Sequence, residues 1–174
     1  MKQVLTYKKK QLHVTDLGGQ DEQRAKWSEH FQNVHAVVFV VDSHDLDPER
    51  LQLAASELKK IMETLNAKLL VFANKMDLPR AINAKEITEH LQLNSIQKQW
   101  AIQECCAVSG EGLYEGLDKL LLILKRPSGV FGLCVFRYPN ISQNFFLWSD
   151  RDNWIFQILL PPLQQKMRNI QLDD

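Results

Sequence analysis

Four apolar segments along the chain have the character of buried strands. They cover residues 11–15, 35–41, 68–73 and 104–108. The middle two are nearly unbroken, which indicates strands that are covered on both faces of a sheet. A further segment, residues 4–7, precedes three lysines and predicts an edge strand that forms a hairpin with the first of the four.

Segments with helical spacing lie between these strands. In residues 48–65 the apolar side chains recur every three or four positions and share one face of a helix. The other predicted helices cover residues 23–31, 84–91 and 113–124. This alternation of strand and helix predicts an α/β fold in which helices flank a mostly parallel sheet.

The pattern changes after Lys125. An Arg-Pro-Ser-Gly sequence at residues 126–129 interrupts the helix, and the remainder holds eight of the fifteen aromatic residues without a clear period. We therefore predict one domain over residues 1–125 and an aromatic-rich tail of unknown structure over residues 126–174. Within the tail, residues 130–136 and 154–160 are predicted as short strands or as a docking surface.

Composition excludes several classes of function. The 21 basic and 21 acidic residues balance, so no net field draws the chain to nucleic acid or to an anionic membrane. No apolar run approaches the roughly 20 residues that span a bilayer. The three cysteines form neither a metal-ligand spacing nor an even disulfide framework, which favours a reducing compartment. The chain is therefore expected to be cytoplasmic, with no nucleic-acid partner and no transmembrane segment.

The candidate chemistry lies in polar residues that directly follow predicted strands, where doubly wound sheets bind their ligands. The first group runs from Asp16 through Gly18 and Gly19 to Gln20. Its acid can hold a hydrated magnesium, and its glycines let backbone N–H groups approach a phosphate closely. The alternative is a plain glycine turn.

Two later groups predict recognition of a base. In the sequence Asn74-Lys75-Met76-Asp77 a carboxylate can accept two N–H bonds from guanine, a pair that adenine cannot donate. Residues 106–110 lie at the end of the last predicted strand, and their small side chains predict a backbone N–H that is free to bond the guanine carbonyl oxygen. For each group taken alone, the alternative is that the match arises by chance. The three groups follow predicted strands of one sheet in the order phosphate, base, base, and this order favours a guanine-nucleotide site.

From residue 4 to residue 125 the sequence resembles the ADP-ribosylation-factor (Arf/Arl) branch of the small GTPases. The resemblance rests on the motifs above, on Trp27, and on residues 31–33, 40–43, 74–79 and 109–118. It implies GTP or GDP and magnesium as ligands, GTP hydrolysis, effector and regulator proteins as partners, and a role in vesicle traffic. It also implies an association with the Golgi or other endomembranes.

The resemblance assigns roles to individual residues. Asp16 would hold magnesium through water, Gly18 and Gly19 would contact the phosphates, and Gln20 would orient the attacking water. For Gln20 the alternative is a helix-start residue without a catalytic part. The guanine pocket would be built from five residues: Asn74, Lys75, Asp77, Cys106 and Ala107.

The sequence departs from this family at its start. Such a domain begins with a strand and the pattern G-x-x-x-x-G-K-[ST], whose amides and lysine surround the phosphates. Here no glycine precedes Gly18, and no Gly-Lys pair occurs anywhere. The first strand, the first helix and the first switch are therefore predicted to be missing, and the loss of a central strand would expose sheet edge. That the aromatic tail covers this surface is a hypothesis.

Two functions remain open. The first is an Arf/Arl-type GTPase that in this chain is impaired in both GTP binding and GTP hydrolysis. The second is a pseudo-GTPase, an interaction module that works without nucleotide. Two charge-assisted bonds to Asp77 of about 1.5 to 3 kcal/mol each barely exceed an association cost of at least about 4 kcal/mol. Nucleotide binding no tighter than about millimolar is therefore expected.

Overall fold

The computed structural model describes residues 2–18, 24–125 and 130–137. In this part the strands are β1 (Lys2–Tyr7), β2 (Lys10–Leu17), β3 (Ala36–Asp42), β4 (Lys68–Asn74), β5 (Trp100–Glu104) and β6 (Val130–Arg137). The α-helices are α1 (Pro48–Thr64), α2 (Ala84–His90) and α3 (Leu113–Leu124). Short 3-10 helices cover Trp27–His30 and Leu93–Ser95.

The strands form one sheet in the order β1-β2-β6-β3-β4-β5. Strand β1 is antiparallel to β2, and every other neighbouring pair is parallel. Each face of the sheet has its own apolar cluster, one containing side chains of α3 and the other containing side chains of α1 and α2. The predicted α/β fold is therefore confirmed.

The predicted hairpin at the edge of the sheet is present. Tyr7 pairs with Lys10, and the two turn residues, Lys8 and Lys9, have φ angles of 47° and 60°. Positive φ at both central positions is the conformation that matches the twist of the flanking strands. The Tyr7 hydroxyl donates to Asp118 Oδ1 at 2.9 Å, and burial together with this bond raises the pKa of Tyr7. The hairpin is thus attached to α3.

Strand β6 occupies the centre of the sheet, between β2 and β3 and parallel to both. The loss of a central strand was predicted to expose sheet edge, whereas in the described residues β2 and β3 are each paired with β6. Residues 130–136, predicted as a short strand or as a docking surface, form a strand and lie beyond the proposed domain boundary at Lys125. Residues 138–174, including the possible strand at 154–160, lie outside the described residues, and their separation as a tail stays a prediction.

The amino-terminal end of β6 is fixed by the loop that precedes β3. The His35 N–H donates to the Gly132 carbonyl at 2.8 Å, and the Gly132 N–H donates to His35 Nδ1 at 3.0 Å. A Cβ at residue 132 would lie 2.2 Å from the Asn33 carbonyl oxygen. Glycine is therefore needed where the loop crosses the strand.

Two predicted elements differ from the structure. The strand predicted at residues 104–108 is wrong, because β5 covers Trp100–Glu104 and ends where the prediction began. Residues 105–107 are apolar because they are buried in a turn, whereas β5 is an edge strand of partly exposed residues. The helix predicted at residues 23–31 contains a 3-10 helix at Trp27–His30, and residue 23 lies outside the described part.

Within the described residues, no helix is both long enough and apolar enough to cross a membrane.

Candidate functional site

Polar side chains gather where the parallel strands end. Asp16 lies near the end of β2, while Asp42, Asn74 and Arg137 are the last residues of β3, β4 and β6. Asp42 and Asn74 are direct partners in the register of β3 and β4, and both Asp16 and Asn74 are buried. The sheet thus brings the predicted phosphate and base motifs to one edge.

Asn74 organises the base side of this edge. Its buried Oδ1 accepts the Ala107 N–H at 2.9 Å and the Cys105 thiol at 3.6 Å. Its backbone carbonyl accepts the Ser43 N–H at 2.9 Å. Asn74 therefore joins the segment after β3 to the turn after β5.

The turn after β5 is bonded on both sides. The Cys105 N–H donates to the Ala73 carbonyl at 2.8 Å, and the Cys106 N–H donates to the Glu111 carbonyl at 3.0 Å. Burial raises the pKa of the Cys105 thiol to about 12, so this thiol stays protonated near neutral pH. The amides of Cys106 and Ala107 are both engaged, so a guanine carbonyl would share the Ala107 N–H with Asn74. The assignment of these two residues to a guanine pocket stays a prediction.

Lys75 combines an unusual backbone conformation with an ion pair of its side chain. Its φ angle is 67°, a left-handed conformation that costs a non-glycine residue about 1 kcal/mol or more. Its Nζ lies 2.6 Å from Asp42 Oδ2, and Asp42 Oδ1 accepts the His44 N–H at 3.0 Å. Backbone strain of this kind clusters at ligand sites, which favours a binding role for this turn.

Asp77, the predicted acceptor for the guanine edge, is exposed. It takes part in none of the hydrogen bonds or ion pairs among residues 2–18, 24–125 and 130–137. Its carboxylate is therefore accessible to a base without first losing a partner in this part of the chain.

The phosphate side contains an ion pair that the sequence did not predict. Asp16 Oδ1 accepts a bond from Arg137 Nε at 3.0 Å, with only 4% of the Asp16 side chain and 19% of the Arg137 side chain exposed. The Gly18 carbonyl accepts the indole N–H of Trp27 at 2.8 Å. Gly19 and Gln20 lie outside the described residues, so their roles in phosphate contact and catalysis stay predictions.

Sequence reasoning missed Arg137 as a residue of this edge. The available signal was an arginine that ends an apolar run at residues 130–136, as other polar residues end other strands. That signal did not show which strands flank this run, and so it did not point to Asp16.

The Asn74 contacts lead to a stability prediction. Replacing Asn74 by alanine leaves the buried Ala107 N–H without an acceptor, so we expect a loss of about 2 kcal/mol in the free energy of unfolding, measured by urea denaturation. The control is Ser109→Ala at an exposed position. It removes two long bonds, one of 3.4 Å to the Cys106 carbonyl and one of 3.3 Å from the Glu111 N–H, and should cost less than about 0.5 kcal/mol. Equal losses in the two variants would contradict the organising role of Asn74.

Comparison with known proteins places these features in context. The model of the ADP-ribosylation factor family matches residues 2–124. Among solved structures, the chain is similar to the Arl6 BBS3 small GTPase from Trypanosoma brucei with bound nucleotide analogue GppNp. The two share 29% identity and a TM-score of 0.66, over 72% of this chain and 79% of that one. Strand β6 lies beyond the residues that the family model matches.

Proposed function

This chain belongs to the ADP-ribosylation factor family of small GTPases, and we propose that it recognises guanine weakly and works as a nucleotide-independent interaction module. The observation that carries the proposal is the ion pair between Asp16 and Arg137. This pair places a protein cation on the carboxylate that the family resemblance assigns to the magnesium shell. Effector and regulator proteins are the proposed partners.

The base side supports guanine recognition. Asp77 offers an accessible carboxylate. Lys75, two residues before it, has a positive φ angle, and its side chain pairs with Asp42. A carboxylate that accepts two N–H bonds distinguishes guanine from adenine. These bonds contribute roughly 3 to 6 kcal/mol, which an association cost of at least about 4 kcal/mol largely offsets.

The phosphate side does not fit a magnesium ion. The family resemblance implies that Asp16 holds magnesium through water, whereas one of its carboxylate oxygens already accepts a bond from a guanidinium. A divalent cation at Asp16 would also be repelled by the Arg137 charge. Phosphoryl transfer depends on neutralising and positioning the phosphates, and residues 1–174 contain no G-x-x-x-x-G-K-[ST] pattern. We therefore propose that this chain does not hydrolyse GTP.

A second candidate function is GTP hydrolysis in vesicle traffic, with cytoplasmic or Golgi and other endomembrane placement. It is favoured by the family match over residues 2–124 and by the similarity to a GTPase whose structure holds GppNp. Under this alternative, the phosphate contacts must come from a segment that residues 1–174 do not supply.

A nucleotide titration tests the proposal. We expect the 174-residue chain to bind fluorescent GDP or GTP, with magnesium present, no more tightly than about millimolar. Asp77→Ala should abolish the residual binding because it removes the guanine acceptor. Glu63→Ala, which removes an exposed carboxylate on α1, should leave it unchanged. Saturable submicromolar binding that Asp77→Ala abolishes would refute the proposal of a nucleotide-independent interaction module. It would support the second candidate function, GTP hydrolysis.

A further inference from the structure

The position between β2 and β3 is completed by a strand from beyond the residues that the family model matches. That model ends at residue 124, whereas β6 begins at Val130 and pairs with both neighbours. In a domain that starts with the phosphate-loop strand, the central strand comes from the start of the chain. Here it comes from the carboxyl-terminal side.

The backbone pairing of β6 is extensive. Its residues 130–136 are in register with residues 11–17 of β2, and residues 133–137 are in register with residues 36–40 of β3. Without β6, the backbone groups along one edge of β2 and one edge of β3 would lose their hydrogen-bond partners. Unpaired buried backbone groups are costly, so the sheet depends on β6 for its hydrogen bonding.

The side chains of β6 join the two apolar clusters. Phe131, Leu133 and Val135 belong to the cluster that contains α3. Cys134 and Phe136 belong to the opposite cluster with α1 and α2. A strand buried on both faces holds the two layers of the domain together.

The charge at the end of β6 matches the acid at the end of β2. Asp16 is too buried to rely on water for its solvation, and the Arg137 Nε lies 3.0 Å from its Oδ1. An unpaired buried carboxylate is costly, and removing one partner of a buried ion pair is strongly destabilising. Arg137 therefore stabilises the site edge without a metal ion.

From these contacts we propose that β6 is a built-in complement of the sheet, and that Arg137 is a resident cation in place of magnesium. The fold then stands without nucleotide or magnesium, and a strand carrying a phosphate loop could enter the sheet only by displacing β6. This inference rests on the proposed function for the identity of the ligand that is replaced. Its structural part concerns stability and is tested separately.

The first test is thermal unfolding of the full chain and its variants. The melting temperature of the wild-type chain should be the same in a chelator and in millimolar magnesium with GDP. Arg137→Met should lower it by about 6 °C because the buried ion pair with Asp16 is lost. In the double variant with Asp16→Asn the loss should be smaller than the sum of the two single losses, which is the signature of a direct interaction. Additive losses, or a clear rise with magnesium and GDP, would overturn the resident-cation role.

The second test is hydrogen exchange on the wild-type chain, which does not depend on a variant that folds. The amide hydrogens of Leu133 and Val135 should exchange as slowly as the amide hydrogen of Phe39 in β3, because a central strand opens only with global unfolding. Fast exchange of the β6 amides beside slowly exchanging β3 amides would overturn the proposal that β6 completes the sheet. Tight nucleotide binding with a protected β6 would instead refute only the proposed function, so the two failures are distinguishable.

Discussion

Replacing Phe136 by alanine is expected to cost about 4 kcal/mol of the free energy of unfolding. The side chain is fully buried, and its ring lies 4.8 Å from the ring of Trp27 and 6.3 Å from that of Phe31, measured between centroids. Both pairs are edge-to-face, an arrangement that stabilises beyond simple burial. Removing the ring would leave a cavity between β6 and the 3-10 helix at Trp27–His30. Urea denaturation followed by tryptophan fluorescence measures the loss.

The matched control for this prediction is Val130→Ala in the same strand. Val130 is 51% exposed, so its truncation should change the free energy of unfolding by less than about 0.5 kcal/mol. The contrast depends on β6 lying inside the sheet rather than in a loosely attached tail. Small and equal losses in the two variants would show that β6 does not belong to the core.

The interior strands and the longer helices could be predicted from the sequence because their signals are local. Strands β3 and β4 are continuous apolar runs since both faces are buried. Helix α3 was predicted with the bounds Leu113–Leu124, and α1 within one residue of its end at Thr64. In these elements the spacing of apolar residues alone determines the type of structure.

The position of β6 could not be predicted because it depends on pairing between distant segments. The apolar run at residues 130–136 indicates a strand, but no local feature selects β2 and β3 as its neighbours. Strand β5 was missed for a different reason. It is an edge strand with partly exposed residues, so its apolar signal is weaker than that of the buried turn which follows it.

The same distinction applies to the candidate site. Motifs that follow strands were predicted to meet at one edge, and Asp16 and Asn74 lie there. The ion pairs at that edge were not predicted. Lys75 and Asp42 are 33 residues apart, and Arg137 and Asp16 are 121 apart. The second pair forms because β6 lies beside β2, a pairing that the sequence did not indicate. The magnesium role of Asp16 stays a prediction.

Gly112→Ala is the substitution with the largest expected effect on the base side of the site. Gly112 has a φ angle of 77°, and an added Cβ would lie 2.1 Å from the Glu104 carbonyl oxygen and 3.0 Å from Cys105 Cα. The left-handed conformation costs about 1 to 2 kcal/mol, and the overpacking adds about 1 to 3 kcal/mol. We expect a total loss near 3 kcal/mol in the free energy of unfolding, measured by urea denaturation.

Gly110→Ala separates the two contributions. Gly110 has nearly the same conformation, with a φ angle of 83°, but an added Cβ there meets nothing within 4 Å. Gly110→Ala should therefore lower the free energy of unfolding only by the cost of the left-handed conformation, about 1 to 2 kcal/mol. The difference between the variants measures how rigidly the turn packs against the end of β5. Because Asn74 is bonded to the Cys105 thiol and the Ala107 amide, displacement of Cys105 in Gly112→Ala should also weaken guanine binding. Equal losses would mean that Glu104 and Cys105 move aside at no cost, and that Asn74 does not hold this turn rigidly.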